Sequence, residues 1–161
     1  MEQQFLPLGK TPASLVTAIL QAWLVAGSLD ITAAIIHFLL RGGTSPLRLL
    51  QFVASGVMGQ DAFTGGLTSG VVGLLLHYCI ALIWTTLFFL AAAKLPILVE
   101  NVAVSGVLYA VFVWIVMSFV VLPISNTPKA PFNPVQAAIG ACILMVCIGL
   151  PIAYFARKYF S

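Results

Sequence analysis

Three titratable side chains stand inside long apolar runs of this chain: Asp30 and His37 in the first, His77 in the second. An ionisable group at the centre of a bilayer costs about 2.5–3.5 kcal/mol on insertion scales, so these positions are where chemistry is sought first. Asp30 and His37 are seven residues apart and share one helix face with Trp23 and Ala34. The second run carries a matching stripe of Gly66, Gly70, Gly73, His77, Ala81 and Trp84. Its Gly66–Gly70 spacing is the kind that lets helix backbones approach closely in lipid. Histidine titrates near neutrality and a paired carboxylate tunes it, which is the chemistry of a proton or ion relay.

Counting residues from the ends of the runs places these groups in depth. Asp30 is 11 residues before Arg41, and His77 is 11 residues after Gly66. Consecutive spans are antiparallel, so both groups are expected about 16 Å deep and facing one another, as a buried hydrogen bond or ion pair. The same count sets Trp23 level with Trp84 and His37 opposite Gly70. Tyr109, about 14 Å from the Glu100 end of the third run, is also near mid-depth. Its hydroxyl could reach the Asp30–His77 pair, could reach the carbonyl freed by Pro151, or could act as interhelical glue. Trp23 and Trp84 lie well inside their runs, where an indole N–H needs a partner. They either pack the core or wall a pocket for an apolar ligand.

Other chemistries find no support. There is no H-E-x-x-H, no nucleophile elbow and no carboxylate pair, so no catalytic residue and no enzymatic activity are expected. Cys79, Cys142 and Cys147 have no C-x-x-C spacing, so no metal site is expected. His37 and His77 should differ in depth by about 10 Å, too far for two axial haem ligands, and no cofactor is expected. No Lys/Arg cluster suits nucleic acid.

The elements that must position these residues follow from composition. The chain has 161 residues, 61% apolar and only 7% charged, which excludes a soluble monomer. At about 20 apolar residues per span it holds four spans. The reading is all-α: an integral membrane four-helix bundle, a single domain over 1–161, with spans at 12–40, 67–93, 98–122 and 134–156. The first run, about 43 Å long, is too long for a signal-peptide core and should remain as a membrane helix. Thr11-Pro12, Ser45-Pro46 and Asn133-Pro134 read as caps with proline at the first helical position, with Gln136 at a capping-box position. Residues 46–58 are too short and too polar to span. Arg48, Gln51 and Ser55 share one face there, as in an amphipathic helix lying in the interface or half-buried against the bundle. The segment 123–134 holds four prolines and cannot be regular helix. Pro151 should kink the fourth span. Lys10, Lys94, Arg157 and Lys158 lie at the end carrying both termini, against Arg41, Arg48 and Lys129 at the other. The balance favours cytoplasmic termini.

The stretch from His77 to Pro131 resembles the YagU-type group of uncharacterised bacterial inner-membrane proteins. The likeness rests on the helix bearing His77, the Lys94-Leu95-Pro96 turn, Gly106 in the third helix, and the segment around Pro123-Ile124-Ser125 and Thr127-Pro128. It implies a small helical protein of the bacterial inner membrane and no defined activity. Two functional expectations stand together. One is transport of protons or small solutes along Asp30, His77, His37, Trp23, Trp84 and Tyr109. The other is an accessory or structural membrane subunit, or a binder of an apolar ligand, without catalysis. The expected partners are the lipid bilayer and either further copies of the chain or a larger membrane complex.

Overall fold

The structure is a computed structural model that describes residues 12–129, 131 and 133–161; Lys10 and the expected Thr11 cap lie outside them. The described residues are all helical or irregular, with no strand among them. Four helices are long and apolar enough to cross a membrane: α1 (Pro12–Leu40), α3 (Gly66–Lys94), α4 (Val102–Ile124) and α5 (Pro134–Phe160). Between the first two lies α2 (Pro46–Met58). Ser45 caps it by accepting from the Arg48 N–H at 3.3 Å, and Pro46 occupies the first turn, where its missing N–H costs nothing.

The boundaries differ from the sequence reading where capping decides them. Ile97–Glu100 forms a separate turn. Asn101 is extended and its side chain accepts from the Val104 N–H at 3.1 Å, so α4 starts at Val102 rather than at 98. At its other end α4 continues through Pro123 to Ile124. A π-helical turn, Met117–Val121, directly precedes that proline, and the Leu122 N–H reaches back five residues to the Met117 carbonyl. α5 repeats the device. Its π turn at Met145–Gly149 precedes Pro151, with Leu150 N–H bonded to the Met145 carbonyl. Proline lacks a donor and crowds the carbonyl four residues back, and a widened turn relieves both problems. Asn133 caps α5 through the Gln136 N–H at 3.1 Å, but the buried Gln136 Oε1 has no partner, so the expected box is only half made.

α1 packs against α3 and α5, and α4 packs against α5. The half of the bundle nearer the termini is filled by Ala22, Ala26, Phe88, Phe89, Ile152 and Ala156, all buried. Two glycines set the α4–α5 distance. A Cβ on Gly106 would sit 2.8 Å from the Gly149 carbonyl oxygen, and one on Gly149 would meet the Gly106 backbone in return. Close backbone approach through small residues is how helices gain packing where no hydrophobic drive separates them from lipid.

α2 corrects two expectations. Gly70 and Gly73, read as the face toward α1, instead receive α2. A Cβ on Gly73 would fall on the Leu50 carbonyl oxygen, and one on Gly70 on the Leu47 side chain. His37 is therefore not opposite Gly70, because α2 occupies that place. Of the polar face of α2, Gln51 and Ser55 point inward and are buried, while Arg48, like Phe52, Val57 and Met58, is exposed. Gln51 Nε2 donates to the Gly66 carbonyl (3.1 Å), and Ser55 Oγ to the Phe52 carbonyl (2.6 Å). The loop after α4 clasps the far end of α2, with Asn126 N–H on the Gly56 carbonyl (3.1 Å) and Asn126 Nδ2 on the Val57 carbonyl (3.2 Å).

Candidate functional site

The seam between α1 and α3 is close because Gly27 faces Tyr78; a Cβ there would lie 3.1 Å from the phenol ring. Three hydrogen bonds cross this seam. Trp23 Nε1 donates to the Tyr78 carbonyl (2.7 Å), the Ser28 and Tyr78 hydroxyls share a bond (2.8 Å), and His77 Nε2 meets the Gly27 carbonyl at 2.9 Å. A carbonyl only accepts, so His77 carries its hydrogen on Nε2. Its ring also stands edge-on to Tyr78, 5.4 Å between centroids.

The counted register therefore brings His77 to within one turn of Asp30, but the expected direct bond between them is absent. The imidazole N–H is spent on Gly27. The Asp30 carboxylate makes no hydrogen bond or ion pair among the described residues. His77 acts on it only through space. The physical reason is reach: at Gly27 the two backbones are close enough for the imidazole to find a main-chain acceptor before it meets a side chain of the next turn.

Two cavities meet at Asp30, both on the side of the bundle formed by α2 and its loops. One, of about 220 Å³, places Asp30, His77 and Trp84 beneath Phe52 and Gly56 of α2, and Ser125 and Thr127 line its outer part. Met117, Val121 and Ile148, from the two π turns, line its wall. The other, of about 650 Å³, runs from Asp30 past His37 to Arg41 and Arg48. His37 Nε2 is buried there without a partner. The opposite half of the bundle is the packed core already described, so Asp30 is approached from the α2 end.

Two candidates take other roles. Trp23 does not share a pocket wall with Trp84: its indole is held by Tyr78, with the rings edge-on at 5.8 Å, and it does not line the cavity that Trp84 does. The Tyr109 hydroxyl bonds neither Asp30 nor the carbonyl freed by Pro151. Its hydroxyl donates to the Trp84 carbonyl (2.5 Å) and its ring packs edge-on to Phe88. It ties α4 to α3, the interhelical-glue alternative. Sequence reasoning missed Ser28 and Tyr78; being next to His77, Tyr78 faces sideways along the seam. It also left Arg41 as an end-marker and gave Arg48 no role beyond the polar face of α2. Among the described residues no group of three or more His, Cys, Asp or Glu side chains could hold a metal ion. No family model, curated protein or solved structure matches this chain.

Proposed function

We propose that this chain is an integral membrane protein that moves a proton or small solute through a site centred on Asp30. The observation that carries the reading is the convergence of both cavities on this one carboxylate. Asp30 is the single acidic side chain within the four apolar helices away from their ends, and it has no hydrogen-bond partner among the described residues. A group that costly to bury is kept where it serves a pathway. His77 is the adjoining proton carrier and His37 the intermediate one toward the α2 end. With the termini in the cytoplasm of a bacterial inner membrane, as the distribution of Lys and Arg favours, both cavities open on the opposite side. α2 then sits at headgroup depth with its polar face toward the protein.

The packed half around Phe88, Phe89 and Ile152 closes the pathway toward the termini, so transport requires this half to open or a second copy to complete the path. The π turns of α4 and α5 line the cavity and are the points where each helix departs from regular bonding, a common site of functional bends. The test is proton flux in vesicles under an imposed potassium diffusion potential, read by an enclosed pH dye. Wild-type vesicles should acidify faster than protein-free ones, and Asp30→Asn should remove the excess. Equal rates in wild-type and Asp30→Asn vesicles would sink the proton reading. A second reading, uptake of an apolar ligand, is favoured by Trp84 and Phe52 walling the smaller cavity. Organic extraction of purified protein followed by mass analysis decides it.

A further inference from the structure

The outer part of the larger cavity has a charge layout that the Asp30 pathway does not use. Arg41 follows the end of α1 and Arg48 lies in the first turn of α2, and both line the cavity. The Arg48 guanidinium lies 4.2 Å from the Phe63 ring centroid, and its Nη1 donates to the Phe63 carbonyl at 3.4 Å. Neither guanidinium meets a carboxylate among the described residues. Below these cations the walls are apolar, formed by Phe52, Trp114, Met117 and Ile143. Its size falls within the range of ordinary ligand sites.

We propose that this is a binding site for an anionic membrane lipid, with the phosphate at Arg41 and Arg48 and one acyl chain along Phe52, Trp114 and Met117. Arginine matches phosphate oxygens with paired donors. The apolar wall directly beneath the cations selects a lipid over a free anion. Basic pockets between membrane helices bind such headgroups. The site makes no use of the Asp30 carboxylate and stands independently of the transport reading.

Trp114 is a reporter already in the wall. In a Trp23→Phe/Trp84→Phe background, chain-brominated phosphatidylglycerol is compared with chain-brominated phosphatidylcholine, each diluted into unlabelled phosphatidylcholine vesicles. Phosphatidylglycerol should quench Trp114 at lower mole fraction, by about fivefold for each arginine engaged. Arg41→Gln/Arg48→Gln should bring it to the phosphatidylcholine level, Arg41→Lys/Arg48→Lys should keep part of the preference, and Asp30→Asn should leave it whole. Equal quenching by the two lipids, or a preference that survives the double glutamine variant, would overturn the proposal. Loss of the preference on adding millimolar inorganic phosphate at fixed ionic strength would assign a free-anion site instead and overturn it too. Non-denaturing mass analysis of the unaltered chain extracted from mixed lipid gives a second readout. Retained phosphatidylglycerol supports the site, and retention of neither lipid or of both equally refutes it.

Discussion

The same substitution at two glycines of α5 should move stability in opposite directions. At Gly149 a new Cβ would come within 2.8 Å of the Gly106 carbonyl carbon and 2.9 Å of Ala110 Cβ, short of the 3.4 Å of ordinary contact. The Gly106 carbonyl oxygen lies closer still and is backbone, so no side-chain tip can swing away and the helices must part by more than the carbon contact alone requires. Overpacking of this kind costs about 1–3 kcal/mol, and rigid neighbours put Gly149→Ala near the upper figure. At Gly140 a Cβ meets nothing within 4 Å. Gly140→Ala should then stabilise by about 0.4–1 kcal/mol, because the unfolded chain loses freedom and the helix gains propensity. A chain of this size shifts its midpoint by about 2–4 °C per kcal/mol. Gly149→Ala should therefore lower the midpoint by about 6–12 °C, and Gly140→Ala should raise it by about 1–4 °C. The assay is the temperature at which detergent-solubilised protein loses half its monodisperse elution peak. Equal midpoints for the two variants, or a reversed order, would refute the claim that the Gly106–Gly149 contact sets the spacing of α4 and α5.

Gly73→Ala should cost more than Gly70→Ala in the same assay. The first puts a methyl group on the Leu50 backbone, and the second meets the tip of the Leu47 side chain, which can turn aside. A cysteine placed at Val57 should also become more reactive in Gly73→Ala, since the substitution lifts α2 from α3; unchanged labelling would count against that packing. Tyr109→Phe should lose only the bond to the Trp84 carbonyl, about 0.6 kcal/mol by the average for membrane helices, and should leave proton flux intact. A flux defect in Tyr109→Phe with an unchanged midpoint would return this hydroxyl to the pathway.

The long elements were legible because their signals are local. Ser45 and Asn133 cap where the cap-proline pairs say they should, and Asn101 moves the start of α4 by a rule the same sequence contains. The antiparallel count also placed His77 within a turn of Asp30. What counting could not supply was the competition for the imidazole N–H. The Gly27 carbonyl was available only because Gly27 lets Tyr78 and its helix come close, and a stripe diagram treats backbone acceptors as invisible. The π turns were likewise hidden. A proline inside an apolar run signals disruption, but not whether the chain answers by kinking, by ending or by widening a turn.

The polarity of α2 was the hardest feature to read, and it decides the shape of the site. In water, a face carrying Arg48, Gln51 and Ser55 would turn outward, and the apolar face would seek the core. In a lipid setting the apolar face has no reason to hide, whereas each unbonded polar group costs several kcal/mol, about the value of a whole buried contact. Gln51 and Ser55 turn toward main-chain carbonyls inside the protein, as the proposed membrane setting requires, and Phe52, Val57 and Met58 are left outward or over the cavities. That inversion drives α2 into the groove at Gly70 and Gly73 and displaces His37 from α3. It also leaves room beneath α2 for the two spaces that meet at Asp30. The cavities are thus a consequence of where one short helix can satisfy its polar side chains. A substitution that removes that need, Gln51→Leu with Ser55→Ala, should release α2 from its seat while leaving the four long helices in place. Unchanged cysteine reactivity at Val57 in that variant would show that the glycine groove alone holds α2.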